Sequence, residues 1–238
     1  MIRLAATVVG ALFLAAGAPA AAQQALPIDA ARLTPHRDSM VIMVNGQPRG
    51  ASVWELRKSG DSLLVHELTA IGSVMRQETT VNLDGQGEVR RVSQAGMVRD
   101  AQASIELLYE AGHVTGTVKA VLPEGPRQFV VDTTVPPGTV DDNALQALLP
   151  TLPWAEGASW SFPMFSAGSY SLTEMQLKVV GVETAMVPAG AFEAYRAELT
   201  GGGSEVSFLI LKRLPYTVLK VEVTGAPLKF ELASGGGL

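Results

Sequence analysis

The stretch "MVPAGAFEAYRAEL" (Met186–Leu199) decides the fold, because it joins two apolar runs through a turn and not through a loop. Pro188 has no backbone N–H to donate to a sheet ladder, so it favours the end of a strand. Gly190 lacks a Cβ atom and therefore permits the backbone reversal that follows. The next residues alternate between two faces, with Phe192, Ala194 and Arg196 on one and Ala191, Glu193, Tyr195, Ala197 and Leu199 on the other. The stretch therefore predicts a β-hairpin.

The same period of two runs from Asp38 to Leu232, in short segments separated by Gly, Pro, Asn and Asp. This pattern is typical of antiparallel β structure. The pair Asn45-Gly46 predicts a tight reversal, since both residue types tolerate positive φ. Gly112 is the centre of another predicted hairpin. Its two strands place five apolar residues on one face: Ile105, Leu107, Tyr109, Val114 and Val118.

One segment breaks this period. "DDNALQALLP" (residues 141–150) places Leu145, Leu148 and Leu149 at the spacing of one helix face. Asp141 or Asp142 is expected to cap the free N–H groups at the start, and Pro150 is expected to end the helix. So short a helix depends on packing for its stability.

These patterns predict a mainly β fold, a large curled antiparallel sheet with one short helix packed in or beside it. About a dozen strands cannot remain in one flat sheet, so the sheet should curl into a barrel or a plugged half-barrel. We expect a single domain over residues 38–232, preceded by a flexible lead-in (23–37) and followed by a disordered tail (233–238). Two β subdomains meeting at "PPGTV" (136–140) are the alternative.

The first residues have the features of an export signal. "MIRLAATVVGALFLAAGAPAAAQQ" (1–24) contains a basic residue, Arg3, an apolar stretch over Leu4–Gly17, and the small-residue pattern of Ala20 and Ala22. We expect cleavage after Ala22, so that residues 1–22 are a signal peptide. An uncleaved membrane anchor is the competing interpretation, but the apolar stretch is shorter than the roughly 20 residues that a spanning helix needs. The protein is therefore expected in the periplasm or the cell envelope, without stable membrane insertion.

Composition excludes several classes of function. The chain has no Cys, which removes thiol catalysis, disulfides, Cys-based zinc sites and a lipidated N-terminal Cys. Loss of Arg3 with the signal peptide would leave 17 basic and 23 acidic residues, a net charge of −6. Nucleic-acid binding needs clustered Lys and Arg, so no nucleic-acid partner is expected.

Three stretches resemble a known family: "SMVIMVNGQPRGASVWEL" (39–56), "DDNALQALLPTLPWAEGASWSF" (141–162) and "VVGVETAMVPAGAFEAYRAEL" (179–199). Together with the closing strand "LPYTVLKVEV" (214–223), they are similar to the exported bacterial proteins of domain of unknown function 3108. This resemblance implies a β-rich periplasmic or cell-envelope protein, with an architecture similar to the curved sheet of the LolA and LolB lipoprotein carriers. The family brings no established catalytic residues.

A search for catalytic and metal-binding patterns yields no convincing site. No G-x-S-x-G pentapeptide of an α/β-hydrolase occurs. The three His residues, His36, His66 and His113, form no pair with metal-ligand spacing. Asp132 in "VVDTTV" is read as a polar strand position, and "DGQGE" (84–88) lacks the carboxylate spacing of a calcium loop. We therefore expect no catalytic residue, metal or cofactor, although a glycosidase-type carboxylate pair remains an alternative.

The segment "PWAEGASWSFPMF" (153–165) concentrates large apolar side chains beside the predicted helix. The candidate ligand-binding residues are Trp154, Trp160, Phe162, Met164 and Phe165. One interpretation is a lid of core residues that closes one end of the sheet. The other is the mouth of an apolar pocket, where Met and aromatic side chains make adaptable contacts to an acyl chain.

The leading functional hypothesis is a non-enzymatic envelope protein that binds or carries an apolar small molecule such as a lipid. The alternative is an assembly or structural protein that binds a protein partner through its sheet edges. A small outer-membrane barrel is less favoured, because such barrels carry aromatic girdles at both interfaces. An unrecognised hydrolase is the remaining alternative.

Overall fold

The computed structural model describes residues 26–122, 124–203 and 205–235. The predicted signal peptide (1–22), residues 23–25 of the predicted lead-in and residues 236–238 of the predicted tail lie outside this part. Within it the chain forms one α-helix, α1, Leu145–Leu148, two short 3-10 helices, Ala30–Arg32 and Leu149–Thr151, and fifteen strands. The strands are β1 His36–Val44, β2 Gln47–Ser59, β3 Ser62–Ile71, β4 Met75–Leu83, β5 Val89–Val98, β6 Ala101–Glu110, β7 His113–Leu122, β8 Gly125–Thr134, β9 Val140–Asp141, β10 Ser159–Ser166, β11 Ser171–Val187, β12 Gly190–Thr200, β13 Val206–Leu211, β14 Val218–Val223 and β15 Leu228–Gly235.

All fifteen strands belong to one sheet, in the order β8-β7-β6-β5-β4-β3-β2-β1-β15-β14-β13-β12-β11-β10-β9. Two meanders, β1 to β8 and β10 to β15, are joined through the antiparallel pair β1–β15, and β9 runs parallel to β10. Among the described residues, the end strands β8 and β9 are not hydrogen-bonded to each other, so the sheet is a half-barrel and not a closed barrel. The predicted mainly β fold with one short helix is confirmed, and the continuous sheet does not divide at 136–140.

The hairpin predicted from Met186–Leu199 is present, with Val187 paired to Gly190 and a φ of 137° at Gly190. Burial along the second strand of the hairpin changes from one predicted face to the other. Ala194 is fully buried, but Arg196 is exposed and Ala197 is fully buried. The tip of the hairpin packs against β15, where the Ala189 N–H donates to the Leu232 carbonyl at 3.0 Å. One face is therefore covered near the tip and the opposite face further along the strand.

The helix is shorter than predicted, but its apolar face is confirmed. Leu145, Leu148 and Leu149 are all buried, and each fully buried leucine contributes about 1.5–3 kcal/mol relative to exposure. The residue before the helix is Ala144, which supplies no side-chain cap, so the predicted cap by an aspartate was wrong. Pro150 lies inside the 3-10 turn that continues the helix.

The described termini belong to the folded domain more fully than predicted. Leu26 and Leu33 are buried, so the described part of the predicted lead-in packs on the domain. Apolar side chains at these positions gain stability by leaving water. β15 continues to Gly235, three residues beyond the predicted domain end at Leu232.

The core is continuous across both meanders and the helix. It includes Val92 and Leu107 from the first meander, Leu177 and Ile210 from the second, and Leu148 from the helix. No helix in the described ranges is long and apolar enough to cross a membrane.

Candidate functional site

The aromatic segment, for which the sequence left open a lid of core residues and a pocket mouth, is largely buried. Trp154 is 4% exposed and its indole Nε1–H donates to the Leu149 carbonyl at 2.8 Å. Its ring meets Trp160 edge-on at 5.5 Å between centroids and stacks on Tyr195 at 6.4 Å. Trp160 remains only partly buried. Such aromatic pairs stabilise a fold beyond the area that they bury.

The other three residues of that segment lie along β10. Phe162 and Phe165 are buried, and Met164 is partly buried against the core. Phe165 contacts Tyr170 edge-on at 6.3 Å, and Tyr170 in turn contacts Phe129 of β8 at 5.8 Å. None of the five predicted ligand-binding residues lines the two cavities described below. Their role in ligand binding stays a prediction.

A cavity of about 460 Å³ lies at one end of the half-barrel. We call it the end cavity. Four segments surround it: the β4–β5 turn, the β6–β7 turn, the loop from β8 to β9, and the first described residues of the chain. Its lining residues are Leu26, Ile28, Gln86, Gly87, Glu88, Val89, Arg90, Tyr109, Glu110, Ala111, Gly112, His113, Val135, Pro136, Pro137, Gly138, Thr139, Val140 and Leu148.

The β4–β5 turn is held by the carboxylate of Asp84. Its Oδ1 accepts from the backbone N–H groups of Gln86 at 2.8 Å and Glu88 at 3.0 Å, and its Oδ2 accepts from Arg90 Nε at 2.9 Å. Burial acts to raise the pKa of Asp84, but the hydrogen bonds from Arg90 and the two N–H groups prevail and lower it. The "DGQGE" stretch is therefore a carboxylate-braced turn that forms one wall of the end cavity.

Gly87 in this turn brings the described N-terminal segment into place. It has a φ of +82°, and a Cβ atom there would lie 2.9 Å from Cγ2 of Ile28 and 3.5 Å from Cδ1 of Leu33. Only glycine fits such a close approach at positive φ. The N-terminal segment thus packs directly on the turn and closes that side of the cavity.

A further wall is the β6–β7 turn with the loop that follows β8. Ala111 and Gly112 adopt positive φ values of 49° and 77°. The Val135 N–H donates to the Gly112 carbonyl at 2.8 Å, which ties the loop to the turn. Thr139 Oγ1 donates to the Pro136 carbonyl at 2.6 Å within the loop. The wall is therefore braced by hydrogen bonds within and between its two segments.

A buried polar pair lies beside the cavity. Tyr109, which lines it, donates its hydroxyl to Oδ2 of the fully buried Asp141. Asp141 Oδ1 accepts from the backbone N–H and the side-chain Nδ2 of Asn143, both at 2.9 Å. Burial raises the pKa of Asp141 against the opposing effect of these hydrogen bonds. Burial and the neighbouring carboxylate also raise the pKa of Tyr109, so the phenol remains a donor.

Asp142 is the next residue and accepts a hydrogen bond from the Ser166 hydroxyl. Desolvation by the surrounding atoms, followed by repulsion from Asp141, raises the pKa of Asp142 to about 7. The residue nevertheless keeps an exposed surface.

A polar network lies on the inner face of the first meander. Glu67 Oε1 accepts from Ser52 Oγ and Thr69 Oγ1, both at 2.7 Å. Gln94 Nε2 donates to Thr79 Oγ1 at 3.0 Å and to Asn143 Oδ1 at 3.3 Å, which connects the sheet to the residue that binds Asp141. Polar side chains are expected on the solvent face of a sheet, so sequence reasoning missed this network.

A second cavity of about 30 Å³ lies between β1, β2 and the helix, with Trp54 in its wall. The indole Nε1 of Trp54 is buried without a hydrogen-bond partner among the described residues. A volume of this size suffices for one or two water molecules but not for a lipid.

Each of the three histidines lies near a carboxylate. Nε2 of His36 is 3.6 Å from Asp38, Nε2 of His66 is 2.9 Å from Glu78, and Nε2 of His113 is 2.8 Å from Asp132. In the described ranges, no three His, Asp or Glu side chains are grouped so that they could hold a metal ion.

Two solved structures match this chain. A beta-barrel-like protein of domain of unknown function DUF1849 from Brucella abortus matches with a TM-score of 0.55 and 11% identity, over 87% of this chain and 99% of that chain. A protein from Bacteroides fragilis with a YmcC-like fold matches with a TM-score of 0.31 and 9% identity, over 84% of this chain and 94% of its own. At these identities the DUF1849 likeness shows the fold alone, and the second match is too distant to support a conclusion. No curated protein matches this chain.

The family model described as "Protein of unknown function (DUF3108)" matches residues 50–233. This range covers most of the half-barrel, from β2 into β15, and includes two of the three stretches that carried the resemblance in full. The resemblance inferred from the sequence is therefore confirmed, and the chain belongs to the DUF3108 family of proteins of unknown function.

Proposed function

We propose that this protein binds a small apolar or amphiphilic molecule in the end cavity, as a non-enzymatic protein of the periplasm or cell envelope. The observation that carries this proposal is the volume of the cavity, about 460 Å³. Sites for small molecules typically measure about 300–1,000 Å³. The export signal predicted from the sequence supports the compartment.

The chemistry of the walls supports an apolar ligand. Leu26, Val89, Val135, Val140 and Leu148 contribute side chains from four separate segments. An acyl chain or a similar group placed against them would leave water, which favours binding by roughly 25 cal/mol per Å² before the costs of association. The hydrogen-bonded turns fix these walls in advance, so little ordering is needed when the ligand enters.

The test uses native mass spectrometry and a neutral fluorescent probe. Protein purified without detergent from an exporting host should carry a bound lipid-sized molecule, and delipidated protein should bind N-phenyl-1-naphthylamine. Thr139→Trp places a large ring in the cavity and should weaken probe binding by about tenfold, the equivalent of roughly 1.4 kcal/mol. The matched control is Thr117→Trp, at an exposed position of β7 outside the cavity.

Two results would contradict the proposal. One is a delipidated protein that binds neither the probe nor any lipid extracted from envelopes. The other is equal loss of probe binding in Thr139→Trp and Thr117→Trp, which would place the probe somewhere other than the end cavity.

A second candidate function is supported by β8. This ten-residue strand ends the sheet, and Val130 on it is 69% exposed. An open edge can accept a strand from another protein. Val130→Lys should then reduce cross-linking to an envelope partner without changing probe binding; unchanged cross-linking would count against this candidate.

A further inference from the structure

The charged groups at the rim of the end cavity are mostly acidic. Glu88 and Glu110 line the cavity and are exposed. Arg90 is the one basic Lys or Arg side chain among the described residues of the lining. Its NH2 group lies 2.9 Å from Glu88 Oε2, and its Nε donates to Asp84 Oδ2 at 2.9 Å. The positive charge of Arg90 is therefore already shared between two carboxylates.

The opposite side of the rim adds to this excess. His113 lines the cavity, and its Nε2 lies 2.8 Å from Oδ1 of Asp132. No basic side chain of the described ranges pairs with the carboxylate of Glu110. Two carboxylates of the lining, those of Glu88 and Glu110, thus stand against the one guanidinium among the described residues of the lining, and two further carboxylates, those of Asp84 and Asp132, lie behind Arg90 and His113.

Such an excess acts on a charged ligand as it enters. Charges within about 8–10 Å of one another are only partly screened at physiological salt. A cleft lined by one sign of charge, with apolar walls behind it, focuses the field on its mouth. An anionic head group would meet net repulsion there, whereas an ammonium group would meet the unpaired carboxylate of Glu110.

On the basis of the proposed function, we infer that the end cavity selects amphiphiles with a cationic head group over fatty acids and other anionic amphiphiles. The apolar walls hold the hydrocarbon part. Glu110 and Glu88 at the rim receive the cationic group.

The experiment compares three ligands that share a twelve-carbon chain: dodecylamine, dodecanol and sodium dodecanoate. Each displaces N-phenyl-1-naphthylamine from the delipidated mature protein at pH 7 and low ionic strength, below its micelle concentration. We expect dodecylamine to bind at least about tenfold more tightly than dodecanoate, with dodecanol between them, and we expect high salt to reduce this difference.

A pair of charge-neutralising variants locates the effect. Glu110→Gln changes an exposed side chain, so the fold should be retained, and it should reduce the preference for dodecylamine over dodecanol by about threefold. Glu205→Gln removes the same charge from an exposed position outside the cavity and should leave the preference unchanged.

The outcomes separate this inference from the proposed function. If dodecanol binds but dodecylamine has no advantage over dodecanoate, the inference is wrong and the proposed function stands. The inference is also wrong if Glu205→Gln reduces the preference as much as Glu110→Gln, since the effect would then come from net charge. If none of the three ligands displaces the probe, both fail.

Discussion

Tyr109→Phe removes one hydroxyl from the polar pair beside the end cavity and leaves the ring in place. The hydroxyl donates to Asp141, which is fully buried and cannot replace this bond with one to bulk water. A hydrogen bond to a charged group contributes about 1.5–3 kcal/mol. For a domain of this size, each kcal/mol corresponds to about 2–4 °C, so the melting temperature should fall by about 3–12 °C.

The pH dependence identifies the cause of this loss. Burial raises the pKa of Asp141, whereas the bond from Tyr109 acts to lower it. A carboxyl group with a raised pKa takes up a proton more readily in the folded state, so its contribution to stability is greatest at low pH and is lost as the pH rises. Without the Tyr109 bond the pKa of Asp141 rises further, so the loss of stability should be larger at pH 8 than at pH 5.

Thermal unfolding followed by circular dichroism at both pH values measures this. Asp141→Asn, alone and combined with Tyr109→Phe, completes a double-mutant cycle. Additive effects of the two substitutions would show that the pair is not coupled. A loss of stability that grows as the pH falls would refute the assignment of Asp141 as the acceptor.

Three further predictions concern other parts of the molecule. Gly190→Val should lower the free energy of unfolding by about 1–3 kcal/mol, because φ is 137° at Gly190 and a new Cβ would lie 3.3 Å from the Phe192 ring. The control is Gly168→Val, where a new Cβ would have nothing within 4 Å. Equal melting temperatures for the two variants would contradict the assignment of Gly190 to a turn. Trp160→Ser should lower the free energy of unfolding by about 1–3 kcal/mol, because it removes contacts with the core, and should leave probe binding in the end cavity unchanged. Weaker probe binding in this variant would indicate that the aromatic segment is part of the ligand site. Burial raises the pKa of Asp142 to about 7, so the parent protein loses the contribution of this carboxyl to its stability as the pH rises from about 4 to about 7. Asp142→Asn lacks this pH dependence and should become more stable relative to the parent over the same range. Parallel curves of stability against pH for the two proteins would show that the pKa of Asp142 is not raised.

The features that could be predicted from sequence are those set by neighbours along the chain. The reversal at Pro188–Gly190, the tight turn at Asn45-Gly46 and the buried face of Leu145, Leu148 and Leu149 all follow from local spacing and backbone preference. Each is present in the structure.

The features that could not be predicted depend on which distant segments meet. Tyr109 was placed correctly on an inward face, but its acceptor lies 32 residues away on a strand of two residues. Asp141 was expected to cap the helix, because its spacing to Leu145 suits that role equally well. The end cavity forms where four separate segments come together, and no periodic pattern in the sequence indicates which segments meet. Tyr170 shows the same limit, since its ring contacts Phe129 of β8, which is distant in the sequence.

The pairing of β1 with β15 gives this protein an unusual order of assembly. Every other antiparallel neighbour in the sheet is also a neighbour in sequence, whereas Asp38 pairs with Gly235 across nearly the whole chain. Each meander can form from local contacts as it is synthesised, but the two unite only after the last strand is available, and closure of so long a loop is slow. A circularly permuted chain, opened in the loop before β9 and joined from β15 to β1 by a short turn, would read its strands in the order in which they lie in the sheet. It would keep the same strand pairs at a lower contact order, and should therefore form the same sheet faster.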